Sequence, residues 1–559
     1  MKRKSLSTLH SSLNRPKGDF KLKIGLAQIE VLAGQPDLNA AKILKFIEMA
    51  KAQNCDAVIF PAAAISGVYF NETPAFVREC ENFINEVVAA TSQITVIFGN
   101  GRDIIIAYDK KITRRVKDGI SSAFVGTLEN EQLGFMLEPS TFAHGRITRR
   151  ENFCAKQAQN AKCPLFYLNS IGIQNTGKTI YTFDGCSTVY NSKGEVVKRL
   201  KPFEEVFDTV STAKIEQLPA LEPYNEKPIA QVYNALNFGV DRFLKQIHMS
   251  KIVIGISGGI DSAVAAALYT KVLGAENVYL VNMPSVFNSE TTRHLSEQLA
   301  KNLGCKYCVV TIQNSVDSTV HQLEMTPVTF LRDNTTEDIK ISSFVRENLQ
   351  ARDRSGRVLA TLAATIGGGF TCNANKAETT IGYATLYGDC AGVLAATADL
   401  WKFQVYDLAK YMNEKIYSRE VIPQGIIDIV PSAELSDAQN VDEGKGDPLH
   451  YDYHDYLLRA FVEKLLTPED ILQAYLEKNL ESVTGCAAGL TEKYFETAED
   501  FIADLEKWWR QYQGIAVAKR IQAPPLIAVS SRPFGSFAES QNAPYFTKKY
   551  FELKNTLTV

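Results

Sequence analysis

The chain has 559 residues, 45% hydrophobic and 22% charged, with 60 Lys and Arg against 63 Asp and Glu for a net charge of −3. That length exceeds what one hydrophobic core sustains and calls for two or three domains. The near balance of charge excludes a broad basic field, so neither nucleic acid nor a membrane is expected as a partner, and a small polar ligand fits.

The ten cysteines (55, 80, 154, 163, 186, 305, 308, 372, 390, 486) are scattered, unlike those of a small disulfide scaffold, so reduced thiols and a cytoplasmic location are expected. Cys305-Lys-Tyr-Cys308 has no second pair and no nearby histidine, and it reads as packing at the start of a buried strand.

In chain order, residues 1–20 are basic and Ser-rich and read as a mobile tail. They lack the run of about 7 to 15 apolar residues of a secretory signal, and no window approaches the roughly 18 of a transmembrane helix. Residues 21–205 alternate strand KIGLAQIEV, helix LNAAKILKFIEMAKAQN, strand DAVIFPA, helix PAFVRECENFINEVVAAT and strand ITVIFGN, then PLFYLNSIG, TGKTIYTFDGCS and STVYNSKGEVVKRL, which read as antiparallel. An α/β sandwich is predicted there, with a Pro-containing linker over 206–228. Residues 229–559 open with the helix PIAQVYNALNFGVDRFLKQIH and continue as a second α/β domain with strands KIVIGIS, NVYLVNMP and KYCVVTI. Helices are expected to about residue 515, followed by a Pro-rich segment.

Residues 252–274 carry the most chemistry. A buried strand runs through Gly255 and Ile256 into Ser257-Gly258-Gly259-Ile260-Asp261-Ser262, where a helix of small residues begins. Two glycines admit an anion close to the backbone, the helix start presents unpaired N–H groups, and two serines add hydroxyls, which together make a pyrophosphate cradle. The lysine of GxxxxGK[ST] and the spacing of GxGxxG are both missing. Asp261 among anion-binding groups requires a divalent cation between it and phosphate, and magnesium fits. Taken alone, the stretch also reads as a Gly-rich turn capped by serine.

A strand followed by SGGIDS resembles the ATP pyrophosphatases, which cleave ATP between its α and β phosphates. With ENLQARDR (347–354), NANKAETTIGYATLYGD (373–389), PSAEL (431–435) and KRIQAPP (519–525), residues 230–535 resemble the NAD synthetases. The resemblance implies a doubly wound parallel sheet in which ATP adenylates the nicotinate carboxylate of deamido-NAD and ammonia displaces AMP, giving NAD and pyrophosphate. It also implies that residues 255–262 hold the ATP phosphates, that Asp261 and Glu378 coordinate Mg2+, and that Lys402, Ser432 and Asn373 contact ATP. Asn348, Glu378, Asp389 and Lys519 match positions that bind deamido-NAD, and Asp261, Glu378 and Lys402 carry the catalytic assignment. Other readings stay open for single residues: Lys402 as a solvated helix lysine, Ser432 as a helix cap, Glu378 as a helix opener beside the dipole. Asn373 stands where the family has threonine and Ala374 where it has glycine, and an amide can still donate and accept, so altered geometry with binding kept is expected. The stretch VDEGKGDPLHYDYHDYLLRAF departs from the common pattern, and its His450 and His454 are read as loop residues with no metal role.

Residues 21–205 resemble the nitrilase-like glutaminase domain of the longer synthetases in KIGLAQIEVLAGQPDLNAAKIL, VIFPAAAISG, EPSTFAHGRITRRENF and FDGCSTVYNSKGEVV. That family uses a glutamate base, a cysteine nucleophile ending a strand in I-C-E-D, and an oxyanion-steadying lysine. Here Ala62 falls in the glutamate place, Ala107 of Ile106-Ala107-Tyr108-Asp109 is aligned with the cysteine, and the span from Gly99 to Asp109 is too short for the lysine loop. Cys154 and Cys163 lie in a helical segment with no base placed beside them and read as structural thiols.

A pseudo-glutaminase joined to a competent ligase is the expectation, with ammonia free or supplied by a separate protein. A glutamine-hydrolysing enzyme with an unrecognised nucleophile and a catalytically dead nucleotide-binding regulator are the alternatives. A homo-oligomer is implied by resemblance.

Overall fold

The structure is a computed structural model that describes residues 7–9, 22–70, 72–117, 124–128, 131–540 and 543–558. The chain divides into two compact units, one of residues 1–176 and 180–242, the other of residues 177–179 and 243–559. The expected N-terminal tail lies outside the described residues except for Ser7–Leu9, a strand pairing in parallel with Phe124–Gly126.

The first unit holds two six-stranded sheets. One runs in the order Val206–Ser211, Lys23–Gln28, Ala57–Ile59, Thr95–Gly99, Ile104–Tyr108, Lys111–Val116. The other runs Ser7–Leu9, Phe124–Leu128, Glu131–Met136, Leu165–Tyr167, Thr188–Tyr190, Val196–Arg199. Side chains alternate between faces along a strand, so a sheet covered on both sides needs continuous apolar runs. Val96 and Phe98 accordingly join the layer under helices Pro36–Ala52 and Pro74–Ala89, while Ile97 joins Phe135, Phe166 and Val189 between the sheets. Helix Arg146–Ala161 covers the second sheet through Cys154 and Ala158. The fold is thus a nitrilase-like α/β sandwich layered helix, sheet, sheet, helix.

Residues 206–211, expected within a linker, form the edge strand antiparallel to Lys23–Gln28 over six residue pairs. Its mostly half-buried side chains give a weak periodic signal, and the partner strand supplies the missing specification.

In the second unit four strands run parallel in the order Lys306–Val309, Val278–Asn282, Ile252–Gly255, Gly369–Phe370. The chain builds outward from Ile252–Gly255 on one side through Val278–Asn282 and Lys306–Val309, then crosses to place Gly369–Phe370 on its other side. Such a switch point opens a crevice at the carboxyl ends of the strands. Helix Ile260–Leu273 leaves that point and is buried on nearly every side, which its run of alanines permits. Lys306–Val309, expected to be a buried strand, is the sheet's edge, and Cys308 is exposed because no strand covers it. The C-terminal segment, expected to be Pro-rich and irregular, contains helices Ile515–Gln522 and Lys548–Leu557. Among the described residues no helix is long and apolar enough to cross a membrane.

Candidate active site

At the switch point a cleft of about 270 Å3 is lined by Ser257, Asp261, Asn373, Glu378, Lys402 and Ser432, among others. Its floor is the loop between strand Ile252–Gly255 and helix Ile260–Leu273. Two amides fix the start of that loop: Asn373 Nδ2 donates to Gly255 O at 3.1 Å and Asn282 Nδ2 to Ile256 O at 2.9 Å. Gly258 has φ +89°, and a Cβ there would stand 2.3 Å from Thr292 O, so only glycine serves. Ser257 Oγ accepts from the Gly259 amide at 3.2 Å and Ser262 Oγ donates to Gly259 O at 3.0 Å, which folds the loop against the first helical turn. That turn leaves N–H groups directed at the cleft, the condition for holding an anion.

Glu378 arrives from the neighbouring strand's side, in the short helix Lys376–Ile381. Asn375 caps this helix: its Oδ1 accepts from the Glu378 amide at 3.0 Å, and Glu378 Oε2 accepts from the Asn375 amide at 3.3 Å. The helix-opening reading of Glu378 and its cleft role therefore coexist, one oxygen serving each. Asn375 Nδ2 also donates to Asp261 Oδ1 at 3.2 Å, tying the two carboxylate loops together.

Lys402 opens helix Lys402–Tyr411, and its side chain is only 4% exposed, so it is no solvated helix lysine. Its Nζ lies 2.5 Å from Asp261 Oδ2 and 3.9 Å from Glu378 Oε1. Burial, and next the charge of Asp261, push the Glu378 carboxyl up to about 8, while the two carboxylates outweigh burial at Lys402 and hold its ammonium above the usual lysine range. Oxygen-only donors from separate loops already gathered round a positive charge fit Mg2+, with Asp261 and Glu378 as the residues to hold it.

Asn373 Oδ1 accepts from Thr371 Oγ1 at 2.8 Å, so both ends of its amide are committed to protein partners. The expectation that Asn373 contacts ATP through its side chain is thereby modified: the amide braces the loop while its surface faces the cleft. Ser432 Oγ donates to Gln439 O at 2.6 Å and accepts from the Glu434 amide at 3.3 Å, shaping the rim as well as lining it. Asn348, Asp389 and Lys519 converge on the loop 382–389. Asn348 Oδ1 accepts from Thr385 Oγ1 at 2.8 Å, Asp389 Oδ1 accepts from the Thr385 amide at 2.7 Å, and Lys519 Nζ donates to Gly382 O at 2.7 Å and Ala384 O at 2.5 Å. Asp389 lines the cleft, whereas Lys519 lines a smaller neighbouring cavity with Gly382 and Ala384.

The NAD synthase family model matches residues 232–488, the span that holds the cradle, both carboxylates and Lys402. Residues 232–488 are an NAD synthase domain. The chain is accordingly an enzyme, a carbon–nitrogen ligase of the NAD synthetase class, with a nitrilase-like sandwich ahead of the synthase domain. It is similar to a glutamine-dependent NAD(+) synthetase of Xylella fastidiosa, 29% identical over 572 residues that cover 92% of this chain and 97% of the relative. A glutamine-dependent NAD(+) synthetase of Thermotoga maritima is 27% identical over 539 residues, covering 81% of this chain and 90% of the relative. In fold it resembles a glutamine-dependent NAD(+) synthetase from Cytophaga hutchinsonii, with TM-score 0.74 and 17% identity over 96% of this chain and all of that one. The enzyme from Acinetobacter baumannii in complex with ADP gives TM-score 0.64 and 22% identity, covering 94% of this chain and 98% of that one.

The synthase domain holds further cleft residues that motif reading passed over. Asp447 Oδ1 accepts from Tyr383 Oη and from the Ala433 amide, both at 3.1 Å, and its Oδ2 accepts from Tyr451 Oη at 3.2 Å. Arg354 lines the cleft from a π-helical turn, Asp353–Leu359, donating through Nε to Met283 O at 3.1 Å. Asp447 and Tyr451 lie in the stretch that departs from the common pattern, and no local periodicity marks them. His450 and His454 also differ from expectation: helix Tyr451–Val462 starts between them. His454 is buried, its Nε2 3.0 Å from Asp504 Oδ2 and accepting from Trp508 Nε1 at 3.0 Å, while His450 stacks on Tyr494.

In the nitrilase-like unit the two alanines part company. Ala62 is fully buried between the sheets with Ile59, Ile97 and Leu137. Ala107 lies on the opposite face of the first sheet, under the helices, in a strand antiparallel to Thr95–Gly99. A base and its nucleophile must meet, so Ala107 is not the nucleophile's counterpart. The strand that ends before a helix and a parallel strand is Glu131–Met136, followed by Leu137 and Glu138. Leu137 shares the apolar layer of Ala62.

Proposed function

We propose that the protein is an ATP-dependent NAD synthetase that amidates deamido-NAD with ammonia, and that its nitrilase-like unit hydrolyses no glutamine. In the ligase the cradle Ser257–Ser262 would hold the polyphosphate while the nicotinate carboxylate oxygen attacks the α phosphorus and pyrophosphate leaves. Lys402 supplies buried positive charge beside the phosphates as the bond to the leaving group breaks. Magnesium, held by Asp261 and Glu378, would add charge neutralisation when bound. Ammonia then attacks the acyl carbon and AMP departs. The ADP complex of the Acinetobacter baumannii relative supports an adenine nucleotide as ligand.

The loss of glutaminase chemistry is supported above all by Ala62, which the resemblance aligns with the base and which is fully buried beside Ile59, Ile97 and Leu137. The relatives' names specify glutamine, so a replacement nucleophile is the competing reading. All five cysteines of this unit are buried, and burial raises every thiol, Cys154 and Cys186 to about 12 and Cys80 and Cys163 to about 11. Such thiols stay protonated and are poor nucleophiles. A cytoplasmic homo-oligomer fed with ammonia, by diffusion or by another protein, completes the proposal.

One assay decides the nitrogen source. Protein, ATP, Mg2+ and deamido-NAD should yield NAD with ammonium and none with glutamine alone. Robust turnover on glutamine alone overturns the pseudo-glutaminase.

A further inference from the structure

Helix Tyr451–Val462 packs against helix Lys402–Tyr411. Tyr451 and Asp455 are four residues apart and share one face. The Tyr451 ring lies 4.8 Å from Lys402 Nζ, and the Tyr451 hydroxyl stands 3.5 Å from Glu378 Oε1. Its hydroxyl donates to Asp447 Oδ2 at 3.2 Å, which anchors the ring at its far end. Asp455 is completely buried, and its Oδ2 accepts from the Phe403 amide at 2.8 Å, in the first turn of the helix that Lys402 opens. Its Oδ1 has no hydrogen-bond partner, although one would be required of a buried carboxylate serving packing alone.

We infer that Tyr451 and Asp455 are positioning residues for Lys402: the ring holds the ammonium at the cleft and the carboxylate fixes the backbone from which the lysine projects. A cation over an aromatic face is held by the ring quadrupole without a competing acceptor. An acceptor at a helix start likewise fixes a turn that would otherwise fray. The arrangement holds the Lys402 ammonium where it meets Asp261 and Glu378, beside the phosphate cradle. This inference rests on the reading of Lys402 as an ATP contact.

The test compares Tyr451→Phe, Tyr451→Leu and Asp455→Ala with the parent in ATP binding by calorimetry and in steady-state NAD formation. Tyr451→Leu is expected to weaken ATP binding and raise the KM for ATP about 10-fold, with the KM for deamido-NAD unchanged. Tyr451→Phe keeps the ring and should stay within about twofold of the parent. Asp455→Ala should follow Tyr451→Leu. Unchanged ATP binding in Tyr451→Leu overturns the inference, as does a rise in both KM values together with a lower unfolding midpoint in all three variants. A parent that binds no ATP overturns the Lys402 reading and this inference with it.

Discussion

Lys402 Nζ stands 2.5 Å from Asp261 Oδ2 and 3.9 Å from Glu378 Oε1, occupying with its own charge the space between the two carboxylates proposed to hold magnesium. The lysine and a divalent cation compete for the same oxygens. Lys402→Met should therefore tighten Mn2+ binding, used as a probe for Mg2+, in the absence of ATP, by about 3- to 10-fold. Pyrophosphate release should fall about 100-fold in the same variant, because the phosphates lose a buried counter-charge. Weaker metal binding in Lys402→Met would remove the competition.

Asp261→Ala should abolish pyrophosphate release, a loss of at least about 1,000-fold. Asp261 is held by both Lys402 and Asn375, so its removal frees the lysine and loosens the Glu378 helix together. An enzyme-coupled pyrophosphate assay reads this, and undiminished release would leave the cradle without its assigned role.

Gly258→Ala forces a Cβ to within 2.3 Å of a backbone oxygen at φ +89°. Backbone cannot yield as a side-chain tip does, so the loop must shift. About 2–4 kcal/mol of stability should be lost, and ATP binding with it. Thermal unfolding with and without ATP checks both parts.

Ala62→Glu restores one glutaminase residue to its family position yet should restore no glutamine hydrolysis. The side chain would enter the buried layer of Ile59, Ile97 and Leu137, and its burial should cost about 3 kcal/mol or more. Urea unfolding measures the loss, and ammonia release from glutamine should stay at background.

Asp455 gives a pH dependence. Burial raises its carboxyl from 3.8 to about 7. A raised acid binds its proton more tightly in the folded than in the unfolded chain, so its contribution to stability is complete below pH 3.8 and is lost as pH rises through about 7. Asp455→Asn, which keeps an acceptor for the Phe403 amide, should match the parent near pH 4 and exceed it by about 1–3 kcal/mol at pH 8. Denaturant titrations at the two pH values give the comparison.

Much of this protein is readable along the chain. Strand, glycine and serine spacing around 252–262 specify a phosphate loop, because an anion cradle is a local device built from consecutive backbone groups. The expectation at Ala62 also came from VIFPAAAISG alone, since the resemblance aligns that one segment residue by residue. The strand 206–211 and the helices after 515 escaped because their half-buried patterns gain definition only from partners distant in sequence.

Only the tertiary structure decided which carboxylates meet which lysine, since Asp261, Glu378 and Lys402 stand in the first turns of three helices more than twenty residues apart and no periodicity relates them. It put Ala107 and Ala62 on opposite faces of one sheet, because the face on which a residue lies follows from strand pairing and cannot be read from a short motif. It also brought in Asp447, Tyr451 and Asp455 from a stretch that matched no familiar pattern. The sequence pointed by itself to a polyphosphate cradle at residues 257–262; packing determined what surrounds it.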